Sequence, residues 1–293
     1  MPTPEWLAEQ FEQHRAHLRA VAYRMLGSAS EAEDAVQESW IRLGRTDVGG
    51  VENLRAWLTT VVARVCLDML RTRTSRREDP LDTHVPDPVI TSADEGPESD
   101  AMVADSVGLA LLVVLETLEP AERLAFVLHD VFGMTFDEIA PIVDRSAVAA
   151  RQLASRARRR VQGQAPTSDM DLRTQRRVVD AFLAAARDGD FEALVAVLDP
   201  AIVLRADGGA VKGMSRLVRG AQAVAAQAAT FSKLGLTNQV VLVNGNIGVV
   251  SRFPDGRLLS VIGFTIAGGK VVEMDILADP DRLSLLDLSA IER

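Results

Sequence analysis

The sequence predicts a multidomain chain: two all-helical units followed by one α+β unit. Three observations carry that reading. First, apolar residues recur at helical spacing through the first half, at Leu18, Val21, Ala22, Met25 and Leu26, and again at Leu54, Trp57, Leu58, Val61, Val65 and Met69. Second, the later part turns into strand-like runs, LTNQVVLVNG, NIGVVSRFPDG, RLLSVIGFTIAGG and KVVEMDILAD, separated by Asn-Gly, Asp-Gly and Gly-Gly turns. Third, residues 80–107 hold seven acids and no Lys or Arg, together with Pro80, Pro86, Pro88 and Pro97, a composition that marks a linker.

The 293-residue chain has a formal net charge of −9, and the short acidic stretch supplies most of it. Arginine is concentrated locally, in RTRTSRR (71–77) and in RQLASRARRR (151–160), which has five arginines and no acid. The overall charge therefore leaves nucleic-acid binding open, and the distribution favours it. A single cysteine, Cys66, allows no intramolecular disulfide. The start shows no signal pattern and no apolar run is long enough for a bilayer, so a cytoplasmic protein without a membrane partner is expected. No Cys/His cluster suggests a metal, and no cofactor is implied.

Within the first unit, Ser30 and Glu33 form a capping-box pattern that opens a helix. Its stripe is Ala32, Val36, Trp40 and Leu43, with Glu31, Asp34 and Glu38 on another face. A long helix follows from Leu54 through Leu70. Its periodicity places Trp57 in the core, while Arg71, Arg73, Arg76 and Arg77 beyond it suit phosphates. In the second unit a helix covers about 106–118, and Pro120 opens another. Phe136, Ile139, Ala140 and Val143 pack a short helix. Asp144-Arg145-Ser146 then turns the chain, with Ser146 as N-cap of a helix whose inner stripe is Leu153, Ala157 and Val161. This is a helix-turn-helix layout. Arg151, Ser155 and Arg158 share one outer face of the second helix, and Gln152, Arg156 and Arg159 share the next.

After a break at GQAPTSD (163–169), two helices lead into AIVLRADGG, a helix around 214–230, and then the strands. Asp207, Asp275 and Lys212 are the plausible polar groups of a pocket there. All four histidines (His14, His17, His84, His129) and Tyr23 lie outside this unit in sequence, so acid–base catalysis lacks its usual partners.

EAEDAVQESWIRL, LRAWLTTVVARVCLDMLR and the helix-turn-helix together resemble regions 2 and 4 of extracytoplasmic-function (ECF) RNA polymerase sigma factors, over roughly residues 10–162. The third unit resembles the SnoaL-like cone domain fused to one group of these factors. The resemblance implies sigma region 2 at 1–79, a linker at 80–101, region 4 at 102–162 and the cone domain at 170–293. It assigns Asp34, Gln37 and Glu38 to core RNA polymerase, whose β and β′ subunits are the implied partners. It gives the −10 promoter element to Asn53, Arg55, Trp57, Arg64, Arg71, Arg73, Arg76 and Arg77, and the −35 element to Ser146, Arg151, Gln152, Ser155, Arg156, Arg158 and Arg159. The group's linker and cone motifs correspond here to HVPDPV (84–89), DGGAVK (207–212) and DPDRL (279–283). They imply an interdomain regulatory role for Asp207, Gly208, Gly209, Lys212, Asp279, Pro280 and Asp281, with the third unit packed on the first. The function implied is that of an alternative sigma factor, not an enzyme, with a fused regulatory domain. The rival readings are a DNA-binding regulator, or a cone domain that binds or turns over a small polyketide-like molecule.

Overall fold

A computed structural model describes residues 4–46, 53–76, 83–93, 108–164, 171–211 and 213–292. The chain forms two compact units, residues 1–79 with 114–164, and residues 80–113 with 165–293. This differs from the division read in the sequence. The two helical segments share one unit, and the linker belongs with the third.

The first unit begins with α1 (Pro4–Leu26), α2 (Ala29–Leu43) and α3 (Leu54–Arg76). Leu18, Met25, Leu26, Val36, Leu43, Leu58 and Leu67 are buried among them. The cap of α2 is Ser28, whose Oγ accepts from the Glu31 N–H at 3.4 Å. The expected cap, Ser30, lies inside the first turn, and its expected partner Glu33 pairs with Arg15 instead. Helix α3 runs six residues past the expected Leu70. Trp57 is half-buried, where the periodicity placed it in the core. Cys66 is buried, and burial pushes its thiol up to about 12.

The same unit continues through α4 (Leu109–Glu116), α5 (Pro120–Phe126) with a π-helical turn at Val127–Val131, α6 (Phe136–Val143) and α7 (Ala147–Gln164). The chain passes from one unit to the other within α4. Thr135 and Glu138 form a reciprocal capping box on α6, and Asp144 ends it in the left-handed region at φ +58°. The buried stripe of α7 is Ala150, Ala154 and Ala157. Leu153 and Val161, expected inside, are half-buried, because the small alanines let α7 lie close on α5 and α6.

The second unit contains α8 (Leu172–Asp188), α9 (Phe191–Val197), α10 (Ala221–Phe231) and α11 (Pro280–Leu283). Its sheet comprises β1 (Ile90–Thr91), β2 (Leu198–Asp207), β3 (Arg216–Arg219), β4 (Thr237–Val243), β5 (Asn246–Arg252), β6 (Leu258–Ala267) and β7 (Lys270–Leu277). The strand order is β1-β4-β5-β6-β7-β2-β3, antiparallel except for β2 beside β7. Residues 216–219, expected in a helix, are a strand paired with β2. The hairpin β4–β5 turns on Asn244 (φ +49°) and Gly245 (φ +76°), the pair of positive φ angles that an Asn-Gly turn supplies. Phe182 of α8 packs edge-on against Phe264 of β6 at 5.6 Å, within a core that includes Val179, Leu204, Val224, Val249 and Met274. Buried Gln175 ties α8 to the sheet: its Nε2 donates to Asn246 Oδ1 at 3.0 Å, and its Oε1 accepts from the Ile247 N–H at 2.8 Å.

Candidate nucleic-acid interface and linker clamp

Helix α7 stands as the second helix of a helix-turn-helix. Ser146 caps it, its Oγ accepting from the Ala149 N–H at 3.2 Å. The five arginines of RQLASRARRR divide by partner. Arg156 Nε meets Glu122 at 2.6 Å and Arg160 Nη1 meets it at 3.3 Å, while Arg158 Nε meets Asp130 at 2.8 Å. Glu122 is only 5% exposed, so Arg156 and Arg160 serve as its counter-ions. Arg156 and Arg158, both expected at DNA, make these ion pairs with α5 and the turn after it while their side chains stay 48% and 40% exposed. Arg151 lies over the Phe136 ring at 5.3 Å, and Arg159 Nε reaches Ser155 O at 3.4 Å. Arg151, Gln152 and Arg159 are exposed and Ser155 is half-buried. Val148, 66% exposed at the start of α7, joins this face and was missed in the sequence because an apolar residue there reads as core.

On α2, Asp34 and Gln37 are exposed. Glu38 is half-buried and pairs with Arg42 one turn on, at 2.9 Å. Trp40, expected in the inner stripe, is 38% exposed and rests on Phe11 at 5.1 Å. It rims a groove of about 170 Å³ between α1 and α2, which Gln37 also lines.

The expected −10 residues spread along α3. Asn53 caps the helix, its Oδ1 accepting from the Ala56 N–H at 3.0 Å. Arg55 reaches His17 at 3.2 Å, and Arg71 stands 3.8 Å from Asp68. Arg64 Nη2 donates to Pro141 O of α6 at 3.1 Å. Arg73 is not a surface arginine. It lies three residues after buried Leu70 on the inner face, pairs with Glu31, and donates to Leu26 O at 3.1 Å. The side chain of Arg76 and all of Arg77 lie outside the described residues.

In the second unit the linker is gripped. Asp207 accepts from the Val85 N–H at 3.1 Å and stands 3.1 Å from His84 Nδ1. Arg282 donates from Nη1 to Asp207 at 2.7 Å, from Nε to Asp87 at 2.8 Å, and from Nη2 to Val85 O at 2.6 Å. Asn244 accepts from the Val89 N–H at 3.0 Å and donates its own N–H to Val89 O at 2.9 Å. At the next residue the linker becomes β1, pairing with the edge of β4. Burial alone would raise the Asp207 carboxyl. The bonds from His84, Val85 and Gly209 and the charge of Arg282 instead hold it down at about 2.

The sequence pointed the 207–212 and 279–283 motifs at the first unit. What their side chains grip is the linker. The gripping residue of the second motif is Arg282, absent from the expected set. Asp279 caps α11 through the Asp281 N–H, with Pro280 in the first turn. The two glycines are steric necessities: a Cβ on Gly209 (φ +58°) would stand 2.2 Å from Asp279 Oδ2, and one on Gly208 would stand 2.1 Å from Met214 Cβ. Lys212 lies outside the described residues.

A cavity of about 340 Å³ opens between α8, α10 and the sheet, with Phe182, Leu204, Ala206, Met214, Met274 and Ile276 in its walls. Neither Asp207 nor Asp275 lines it, contrary to the sequence reading. Met274 and Ile276 face the cavity, so strand alternation turns Asp275 to the other side of the sheet. There it shares Arg205 with Glu273.

A three-helix unit with an acidic face, followed by a basic helix-turn-helix, defines the class of sigma-70 proteins. The family model for sigma-70 region 2 matches residues 10–76, and that for sigma-70 region 4 matches residues 108–161. The chain is 38% identical to the ECF RNA polymerase sigma factor SigJ of Mycobacterium tuberculosis, over 94% of this chain and 92% of that one. It is 36% identical to the probable ECF RNA polymerase sigma factor SigI of the same species, over 93% of each. The crystal structure of M. tuberculosis SigJ matches with a TM-score of 0.75 at 34% identity, covering 96% of this chain and 99% of that one. The chain therefore belongs to the ECF RNA polymerase sigma factors, alternative sigma factors that direct transcription initiation, and it carries a C-terminal α+β domain.

Proposed function

We propose that the free chain is a closed sigma factor, opened when it engages core RNA polymerase and promoter DNA in the cytoplasm. The observation that carries this is the 3.1 Å bond from Arg64 of α3 to Pro141 O of α6. Elements at −10 and −35 are centred roughly 25 base pairs apart, about 85 Å of duplex at about 3.4 Å per pair. Reading surfaces held in contact cannot span both, so α3 and α6 part on the promoter. Asp34, Gln37 and Glu38 then meet polymerase, Asn53, Arg55, Trp57, Arg64 and Arg71 meet the −10 element, and Ser146, Arg151, Gln152, Ser155 and Arg159 meet the −35 element. The third domain regulates this by holding residues 84–91 of the linker that joins the two readers. Its cavity binds a small molecule without turning it over, since no carboxylate, histidine or cysteine lines it among the described residues.

The test is a spin-label distance between Asp68→Cys on α3 and Asp137→Cys on α6, both exposed. Native Cys66 is buried and stays unlabelled. A short distance is expected in the free chain, lengthening severalfold in a complex with core polymerase and promoter that gives run-off transcript. A short distance retained in the transcribing complex overturns the reading.

A further inference from the structure

The cone cavity, at about 340 Å³, has the size of a small-molecule site, at the lower end of the range. Its walls are mostly apolar. The formally charged side chains that line it are Arg187 and Arg216, and no carboxylate does so among the described residues. Arg216 lies directly opposite Ala206 in the β2–β3 register, and Ala206 faces the cavity, so the same pleat turns Arg216 inward. Its Nη2 donates to Gly213 O at 3.1 Å. Its Nε is buried and has no hydrogen-bond partner among the described residues. A buried guanidinium N–H without an acceptor is costly, and an anionic oxygen satisfies it with a charge-assisted bond.

We infer that the cavity binds a small, largely apolar monoanion, with its acidic head on Arg216 and its body among Phe182, Leu204 and Met274. This rests on the reading of the third domain as a ligand-binding domain and names the class of ligand. The apolar walls reject a highly charged metabolite such as a nucleotide, since the burial of several charges against two arginines is unfavourable. One charge and an aromatic or aliphatic body match both the lining and the unused donor.

The probes are 1-anilinonaphthalene-8-sulfonate, an aromatic monoanion, and N-phenyl-1-naphthylamine, the same skeleton without the sulfonate. Each is titrated by fluorescence into the full-length protein. The anion is expected to bind saturably at one site, about tenfold tighter than the neutral probe. Arg216→Gln is expected to weaken the anion about tenfold and leave the neutral probe unchanged. Ala228→Phe, which fills the cavity, is expected to abolish both with the melting transition retained; should it fail to fold, Ala186→Leu on α8 replaces it. Equal affinity for the two probes, or no effect of Arg216→Gln, overturns the anionic class and leaves the ligand-binding reading standing. Saturable binding of neither probe to the native chain overturns both. Anion binding that survives the filled cavity places the dye elsewhere and overturns the site.

Discussion

Asp207 ends β2, and Asp275 lies near the end of the neighbouring β7, both buried in one sheet. Burial pushes each carboxyl upward, yet they ionise in opposite directions. Asp207 gathers four donors, from His84, Val85, Gly209 and Arg282, and is held at about 2. Asp275 is 2% exposed, and burial and the charge of Glu273 push it up to about 7 against the pull of Arg205. One arginine between two buried carboxylates leaves an excess negative charge, whereas one carboxylate among several donors is fully satisfied. Burial penalises both carboxylates, Asp275 more heavily, and the donors gathered around Asp207 reverse the outcome there.

Removing the well-served carboxylate has the largest expected effect. Asp207→Ala strands Arg282 and the donors of the 84–85 segment, and is expected to cost about 3 kcal/mol in denaturant unfolding. Its pH dependence has a definite sign. The stability Asp207 supplies is complete above its usual 3.8 and is lost as pH falls towards about 2. Asp207→Asn should therefore flatten the acid limb of the stability profile.

A smaller effect is expected from the other half of the clamp. Arg282→Met keeps the volume of the side chain but loses its bonds to Asp87, Asp207 and Val85 O, and should cost about 2 kcal/mol. Limited proteolysis at residues 84–91 should accelerate at the same time, while the first unit remains resistant. Unchanged cleavage would show that β1 alone holds the linker.

The smallest effect, and one of opposite sign, is expected at the ill-served carboxylate. Because the folded chain holds a proton there between about 4 and 7, stability from this group falls as pH rises through that interval. Asp275→Asn removes the dependence. It should stabilise more at pH 8 than at pH 5, as read from paired denaturation curves.

The fold class was legible because its signals are local. The 3.6-residue periodicity of the first half, the Asn-Gly turn at 244–245 and the Ser146 cap all act within a few residues of themselves. The misread positions depend on distant partners. Ser30 looked like a cap until Ser28, two residues past the end of α1, took the role. Leu153 and Val161 fitted an inner stripe, but three alanines gave closer packing. His84 lies 123 positions before Asp207 in sequence, so the pair could not be seen along the chain. Arg73 and Arg156 look like phosphate-binding residues in a basic run, and became counter-ions only when Glu31 and Glu122 were brought beside them.

By itself the sequence determined the class of each segment and the family to which the chain belongs, since periodicity, turn chemistry and motif order are properties of consecutive residues. Only the tertiary structure decided which arginines face solvent and which neutralise buried acids, that the linker completes the sheet of the third domain, and that the cavity is lined by arginine rather than carboxylate. Those outcomes follow from burial and donor count at each site, which are set by residues far apart in the chain.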